Sequence, residues 1–301
     1  MKKILSIMLI LAMVLGLAAC GSSSSGEPST EAATEAAVTE DDGEAATDIA
    51  DSETLKDENN DATIEESTTE AITFDSNVQV GDHITLGTYE QDNDTSDGAE
   101  AISWEVLAVE NGRALVISDY GLACRPYNEE NEDTTWEDCT LRAWLNDEFY
   151  NEAFSADERE YILLSNIENN DNFVFGTEGG NDTEDHVFLL SLEEIIEYYN
   201  IDAGELGDET SIVEMVQELK ARYSQSAVEE CHQICINLGW SEADWKGYNS
   251  DAATCWWWLR SPGEYSDEAV IVGNDGSLFV YGQYVNTSQG AVRPAMWINL
   301  E

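Results

Sequence analysis

The segment CWWWLRSPGEY, residues 255–265, places adjacent aromatic rings beside an arginine in an otherwise strongly acidic chain. Successive side chains of a strand point to opposite faces, so a strand here puts Trp256, Trp258 and Arg260 on one face. Aromatic faces stack on the apolar faces of sugar rings, and an arginine donates hydrogen bonds to their oxygens. The spacing therefore fits a ligand-binding surface, and the candidates to extend it are Tyr265, Tyr281 and Tyr284.

The same three side chains have a second interpretation, as a covered layer of the core. The opposite face, formed by Cys255, Trp257 and Leu259, is wholly apolar and is expected to be buried. Tryptophan is highly buried on average in proteins, and a buried arginine would pair with a carboxylate. Both interpretations stay open from the sequence.

Two loops are dense in side-chain oxygens of the kind that bind calcium: EQDNDTSDG at residues 90–98 and GTEGGNDTEDH at residues 176–186. Neither has the glycine and glutamate spacing of an EF-hand. Turns in which Asn and Asp side chains bond to their own backbone explain the same composition. Calcium is therefore the alternative to ordinary turns at these loops, and no other cofactor is expected.

No residue is assigned a catalytic role. The three histidines, His83, His186 and His232, fall on a predicted strand, a loop and a helix. The chain lacks a GxSxG nucleophile turn, an HExxH metal motif and a glycine-rich phosphate loop. Paired carboxylates hydrolyse glycosides in many enzymes, but 63 acidic residues offer too many such pairs to choose one. An extracytoplasmic enzyme of unknown reaction stays an alternative without a named site.

The cysteines show no metal or redox spacing. Besides Cys20 there are five, an odd number, so at least one thiol is expected to lack a partner within the chain. Cys231 and Cys235 are one helical turn apart on an apolar stripe, which favours core thiols over metal ligands. The sequence does not fix any disulfide pairing among Cys124, Cys139, Cys231, Cys235 and Cys255.

Strand patterns lie at both ends of the folded part, with helical patterns between them. Asn111-Gly112 and Asn274-Asp275-Gly276 predict tight hairpin turns. The predicted strands are residues 80–88, 103–109, 113–118, 255–261, 269–272, 277–284 and 291–298. The stretch TLRAWLNDEFY predicts one helix, and capping boxes at residues 155–158 and 191–194 each predict the start of another. Residues 208–239 predict two more amphipathic helices, the second ended by Gly239. This order is typical of an α+β domain.

The first residues, MKKILSIMLILAMVLGLAAC, have the pattern of an export signal: two lysines, a short apolar run, and small residues before Cys20. The apolar run is shorter than the roughly 20 residues that span a bilayer. LAAC resembles the lipobox of bacterial lipoproteins, which implies a diacylated Cys20 and a location on the extracytoplasmic face of the cell membrane. Plain secretion or an uncleaved anchor is the alternative.

From Gly21 to about Thr73 the sequence has no aromatic residue and a single lysine, Lys56. Such a segment cannot bury enough apolar surface to offset its chain entropy, so a disordered acidic linker is expected. The predicted organisation is a signal peptide at residues 1–19, a lipidated Cys20 with linker through residue 75, and a globular α+β domain at residues 76–301.

Charge excludes some partners. The chain carries 63 Asp and Glu residues against 12 Lys and Arg, a formal net charge of −51 at pH 7. Phosphate backbones and anionic lipid headgroups would repel it, so nucleic-acid binding is not expected. The remaining partners are the membrane, reached through the lipid anchor, and a glycan or surface protein.

Several motifs together resemble a known family. GTYEQDNDTSDG, ISWEVL, ACRPYN, TWEDCTLRAWLN, FYNEAFS, VFLLS, WWLRSPG and VRPAMWINL are similar to a domain of unknown function that is common in surface lipoproteins and secreted proteins of Gram-positive gut bacteria. The resemblance covers almost all of residues 80–301 except the region around 200–248. It implies a cell-surface location.

A more distant resemblance concerns the C-terminal part. WLRSPG, a hairpin, then GAVRPA is similar to the end of C-type-lectin-like domains related to the formylglycine-generating enzyme. This implies a mixed domain whose first and last strands pair. The copper-binding cysteine pair of that enzyme has no counterpart, because no cysteine follows Cys255. We therefore expect a lipid-anchored ligand-binding module, with an enzyme or a structural envelope spacer as alternatives.

Overall fold

The computed structural model describes residues 77–202, 212–213, 216–248 and 254–301. All of them belong to one compact unit, Ser67–Glu301. The predicted signal peptide, the lipidation site Cys20 and the acidic linker through residue 75 lie outside the described residues.

The strands occur mainly at the two ends of the described chain. They are β1 (His83–Tyr89), β2 (Glu100–Glu110), β3 (Arg113–Ser118), β4 (Tyr120–Gly121), β5 (Ala123–Cys124), β6 (Ser165–Ile167), β7 (Thr183–Asp185), β8 (Ile212–Val213), β9 (Ala221–Tyr223), β10 (Thr254–Cys255), β11 (Trp257–Pro262), β12 (Glu268–Val272), β13 (Leu278–Tyr284), β14 (Ala291–Val292) and β15 (Ala295–Asn299).

The helices are short and lie between these groups of strands. They are α1 (Thr140–Trp144), which continues through a π-helical turn (Leu145–Phe149) into α2 (Tyr150–Ala153), then α3 (Ala156–Arg159), α4 (Leu192–Tyr198), α5 (Gln225–Asn237) and α6 (Glu242–Tyr248). A 3₁₀ turn covers Gln217–Leu219. The mixed α+β class is confirmed.

One sheet has four antiparallel strands in the order β1-β2-β3-β15. The predicted Asn-Gly hairpin is confirmed, because Glu110 pairs with Arg113 across a two-residue turn. Asn111 and Gly112 have φ angles of 51° and 78°, the left-handed conformation that this turn requires.

The expectation that the first and last strands pair is wrong. β15 pairs with β3, from Ala295 opposite Ile117 to Asn299 opposite Arg113. β1 pairs with β2, at the other edge of the sheet. The reason is the tight turn after Glu110, which pairs β2 with β3 along one edge of β3. The other edge of β3 is then free to pair with β15.

A second sheet contains the tryptophan segment. Its order is β5-β14-β11-β12-β13-β8, so β11 lies near the middle, and all six residues of β11 are buried. β11 pairs with the hairpin strand β12 on one side and runs parallel to β14 on the other. Two smaller sheets have the orders β10-β9-β4 and β6-β7.

Helix starts follow the sequence closely. Ser155 with Glu158 and Ser191 with Glu194 form complete capping boxes, as predicted. Of the two helices expected in residues 208–239, the second is confirmed as α5, and Gly239 follows it with a φ of 93°. The prediction of the first helix is wrong for the residues of this region that the structure describes. There the chain forms β8, a 3₁₀ turn and β9, because β9 pairs with both β10 and β4.

The core is rich in tryptophan and in free thiols. Cys124, Cys139, Cys231, Cys235 and Cys255 are all buried and unpaired by disulfides. The core interpretation of Cys231 and Cys235 is confirmed, since both side chains are fully buried. In the described part of the chain, no helix is long and apolar enough to span a bilayer.

Candidate functional site

Trp258 is a core residue. Its side chain is fully buried, and its Nε1 donates a hydrogen bond to the carbonyl of Arg125 at 2.9 Å. Tyr127 lies against the ring with 5.8 Å between centroids. Gly290 approaches so closely that a Cβ there would lie 2.0 Å from the indole nitrogen. The indole is therefore fixed on all sides and offers no face to a ligand.

Arg260 is also buried, with 4% of its surface exposed. Its guanidinium forms a two-pronged ion pair with Glu194, in which Nη2 lies 3.1 Å from Oε1 and Nη1 donates to Oε2. Nη1 also donates to the carbonyl of Leu189 at 2.8 Å, and Nη2 to that of Glu168 at 3.0 Å. Glu194 is the capping-box residue of α4, so this pair joins the helix start to β11.

These contacts correct the interpretation of Trp258 and Arg260 as ligand-contacting residues. Both side chains are buried, and the Trp258 Nε1 and the two terminal guanidinium nitrogens of Arg260 donate to protein groups, whereas the Arg260 Nε is buried without an acceptor. Trp257, on the opposite face, is buried as expected. A central strand covered on both faces needs apolar or internally paired side chains on both, which explains the unusual WWWLR run.

Trp256 has an intermediate position. It is half-buried, its Nε1 donates to the Tyr248 hydroxyl at 2.8 Å, and its ring meets Trp258 edge to face at 4.9 Å. Trp256 therefore connects α6 to the start of β11. It packs against the buried Trp258 and forms no exposed aromatic platform with it.

The three predicted tyrosines are more exposed than the two fully buried tryptophans of β11, and they form an accessible patch around the β12–β13 hairpin. Tyr265 is 59% exposed and Tyr284 is 44% exposed, while Tyr281 is half-buried. Glu264 donates its backbone N–H to the Tyr281 carbonyl at 2.8 Å, and Glu268 is the register partner of Tyr284. We call these five residues the tyrosine surface.

Charges within the tyrosine surface act on one another. A hydrogen bond to Glu264 and the charge of that carboxylate raise the pKa of Tyr265. Burial, with the charge of Glu268, raises the pKa of Tyr281. Burial is also the main cause that raises the pKa of Glu268, and the nearby Asp267 and Glu264 add to it. The patch thus combines aromatic rings with closely spaced carboxylates.

A neighbouring loop adds two phenylalanines that were not among the residues predicted from the sequence. Phe173 is 49% exposed and Phe175 is 37% exposed. Between strands β6 and β7, the buried Asn172 donates to the carbonyls of Pro262 and Val280 at 2.8 and 3.1 Å. This anchor holds the loop beside the tyrosine surface. The sequence signal was two phenylalanines at alternate positions within a run of Asn and Asp.

Two residues of the acidic loop at residues 90–98, with Glu100 of β2, form the one carboxylate cluster of metal-binding size among the described residues. Ligand oxygens of Glu90, Asp92 and Glu100 lie within 4.8 Å of one another. Glu100 already accepts the backbone N–H groups of Gln91 and Asp92, at 2.6 and 3.1 Å. The carboxylates thus hold the loop together, and calcium binding here stays a prediction.

In the loop at residues 176–186, the main carboxylate is part of the internal structure. Asp185 is fully buried and pairs with Arg142 at 2.7 Å. Its other oxygen accepts from the Trp136 indole at 2.9 Å and the Thr183 hydroxyl at 2.8 Å. Both oxygens of this group are thereby occupied within the protein.

Comparison with known proteins defines the family. Residues 111–300 match the family described as a domain of unknown function, DUF6273, and the chain belongs to this family. The match begins in the turn between β2 and β3, so the first two strands of the four-stranded sheet precede it. No curated protein and no solved structure matches the chain.

Proposed function

We propose that this protein is a cell-surface module that binds a glycan through its tyrosine surface. The observation that carries the proposal is the accessible group of Tyr265, Tyr281 and Tyr284 beside Glu264 and Glu268. Aromatic faces offer sugar rings an apolar contact, and ionised carboxylates accept hydrogen bonds from sugar hydroxyls. Phe173 and Phe175 extend the apolar part of the same region.

The shape of this region favours binding over catalysis. The carboxylate whose pKa burial raises, Glu268, lies beside an open aromatic patch and not within a deep cleft. Enzyme sites are usually concave and largely enclose their ligand, whereas an exposed patch suits the recognition of an extended surface. The enzyme and structural spacer alternatives make different predictions in the same experiment.

The proposed location rests on the sequence. We infer that Cys20 is lipidated and holds the domain on the extracytoplasmic face of a Gram-positive cell membrane, because LAAC ends an export signal. We also infer a distant relation to C-type-lectin-like domains. It is supported by the chain order of β11, the β12–β13 hairpin and β14 within one sheet.

The test is a glycan array probed with the labelled protein, with and without calcium. A bound glycan should lose roughly tenfold in affinity, about 1.4 kcal/mol, in Tyr265→Ala or Tyr284→Ala. Both side chains are exposed, so the free energy of unfolding should change by about 0.5 kcal/mol or less. Tyr120→Ala, which removes a tyrosine of similar exposure (43%) from β4, is the matched control and should bind like the unmodified protein.

The same experiment separates the alternatives. A glycan that binds equally well to all three variants would place its site elsewhere and overturn the proposal. A glycan that is cleaved on the array would indicate an enzyme. Binding to bacterial cells that is lost after protease treatment would indicate a surface protein as the partner, and no binding of either kind would favour the spacer.

A further inference from the structure

A groove of about 240 Å³, which shares no lining residue with the tyrosine surface, lies where the chain after β5 meets α1 and the π turn. Its apolar wall includes Leu141, Pro126 and Trp144. Its polar lining consists of one cation, Arg125, one hydroxyl, Thr140, and the carboxylates Glu129, Asp147 and Glu148. The volume is below the roughly 300–1,000 Å³ of drug-sized pockets, so it suits a small molecule.

Arg125 is the informative residue of this groove. Arg113, Arg142 and Arg260 each form an ion pair with a carboxylate. Among the described residues, no carboxylate oxygen lies within 4.0 Å of the Arg125 guanidinium, and its buried Nε has no hydrogen-bond acceptor. Among the described residues, Arg159, Arg222 and Arg293 also form no ion pair, so the missing carboxylate is not by itself the signal. What distinguishes Arg125 is that it lines the groove, with a buried Nε that has no acceptor.

The protein holds this guanidinium in place. The backbone N–H of Arg125 donates to Gly290 at 2.9 Å, and its carbonyl accepts from Trp258 at 2.9 Å. The guanidinium lies over the ring of Trp144, 4.3 Å from its centroid. The cation is therefore pre-positioned on the groove wall, which lowers the entropy cost of binding an acceptor there.

The lining charges select the ligand class. A plain anion would meet three carboxylates and the strongly negative field of the whole chain. A plain cation would be repelled by Arg125, and the N–H donors of the Arg125 guanidinium would have no acceptor. A small zwitterion avoids both costs, since its carboxylate can take the guanidinium donors while its ammonium group lies near the acidic residues.

We propose that the groove binds a small zwitterion of the amino-acid type, with its carboxylate on Arg125 and its ammonium group toward Asp147 and Glu148. The apolar wall of Pro126, Leu141 and Trp144 accommodates an aliphatic side chain. This site shares no residue with the tyrosine surface, and its test is independent of glycan binding.

The test uses calorimetric titration of the full chain with L-leucine. N-acetyl-L-leucine, which lacks the ammonium group, and L-leucinamide, which lacks the carboxylate, are the paired probes. L-leucine should bind saturably, and each derivative should bind at least about tenfold more weakly. Arg125→Gln should weaken L-leucine binding at least about tenfold, and Arg125→Lys less.

Arg113→Gln is the matched control, because Arg113 is also stacked on an indole, 4.1 Å from the Trp297 centroid, but lies outside the groove. It should bind L-leucine like the unmodified protein. If Arg125→Gln does not fold, the double variant Asp147→Asn, Glu148→Gln tests the ammonium side with exposed residues and should lose L-leucine affinity.

Four outcomes would overturn the proposal. The first three are absence of saturable L-leucine binding up to about 10 mM, equal binding of L-leucine and both derivatives, and unchanged L-leucine affinity in the folded groove variants. Equal binding of L-leucine and N-acetyl-L-leucine with loss of L-leucinamide binding would likewise reject the zwitterion, in favour of a simple carboxylate site.

Discussion

Arg260 shows how a residue suited to ligand binding can be used for the fold. In the sequence it follows three tryptophans, as in a sugar-binding surface, yet in the structure it is buried and pairs with Glu194. Removing one partner of a buried ion pair leaves an uncompensated charge, which is more costly than losing an exposed pair.

We expect Arg260→Ala to lower the free energy of unfolding by about 3–5 kcal/mol, because Glu194 loses its partner and the cap of α4 is disturbed. Equilibrium unfolding in urea measures this. Arg222→Ala is the matched control, since Arg222 is exposed on β9, and its loss should cost under about 1 kcal/mol. Equal effects of the two substitutions would show that Arg260 is not held by the buried pair.

Glu268 gives a prediction about pH. Its pKa is raised above the ordinary value of 4.5, mainly by burial, so the ionised form is less favourable in the folded than in the unfolded chain. Its contribution to stability therefore falls as the pH rises from about 4.5 through the raised pKa. Relative to the unmodified protein, Glu268→Gln should gain stability across this window.

Urea unfolding at a series of pH values measures the difference between the variant and the unmodified protein. Glu218→Gln, an exposed residue in the 3₁₀ turn, is the control and should show a smaller change across the same window. A constant difference between Glu268→Gln and the unmodified protein over the whole series would contradict the prediction.

At the scale of elements, a close contact between a strand and a loop restricts which residues the loop can carry. The loop before β14 passes directly over Trp258, and Gly290 is the residue that makes this approach. A side chain at that point must displace either the indole or the backbone of β14.

We expect Gly290→Ala to destabilise the protein by about 1–3 kcal/mol, because the added Cβ would lie 2.0 Å from the Trp258 nitrogen. Gly247→Ala is the opposite case. Gly247 lies in α6 with nothing within 4 Å of an added Cβ, so alanine should stabilise the helix by about 0.5–1 kcal/mol. Thermal unfolding compares the two variants. A neutral Gly290→Ala would mean that the indole and the loop separate easily.

At the scale of the whole molecule, the proposed location on the membrane rests on the predicted N-terminal signal and lipidation site. We expect Cys20→Ser to move the protein from the membrane fraction to the medium, because the proposed acyl chains could no longer be attached to the serine. Cell fractionation with immunoblotting measures this. Ser24→Ala, four residues later, should stay in the membrane fraction. Unchanged membrane association of Cys20→Ser would indicate that the apolar run itself is the anchor.

The sequence by itself determined the features that depend on neighbouring residues. The Asn111-Gly112 turn, the capping boxes at Ser155 and Ser191, and the end of α5 at Gly239 were all predicted, because local backbone preferences and short-range hydrogen bonds produce them. The α+β class followed from the order of strand and helix patterns.

Only the tertiary structure decided which faces are covered. Alternation correctly separated Trp257 from Trp258, but it could not show that both faces of β11 are buried, since that depends on Arg125, Glu194 and Gly290, all distant in the sequence. Likewise, β9 forms a strand because β4 and β10 lie on either side of it. The tyrosine surface (residues 264–284) and the Arg125 groove (residues 125–148) each come from one short stretch of chain. Which of their side chains stay accessible was still decided by tertiary packing, because the coverage of a side chain by other segments leaves no periodic pattern in the sequence.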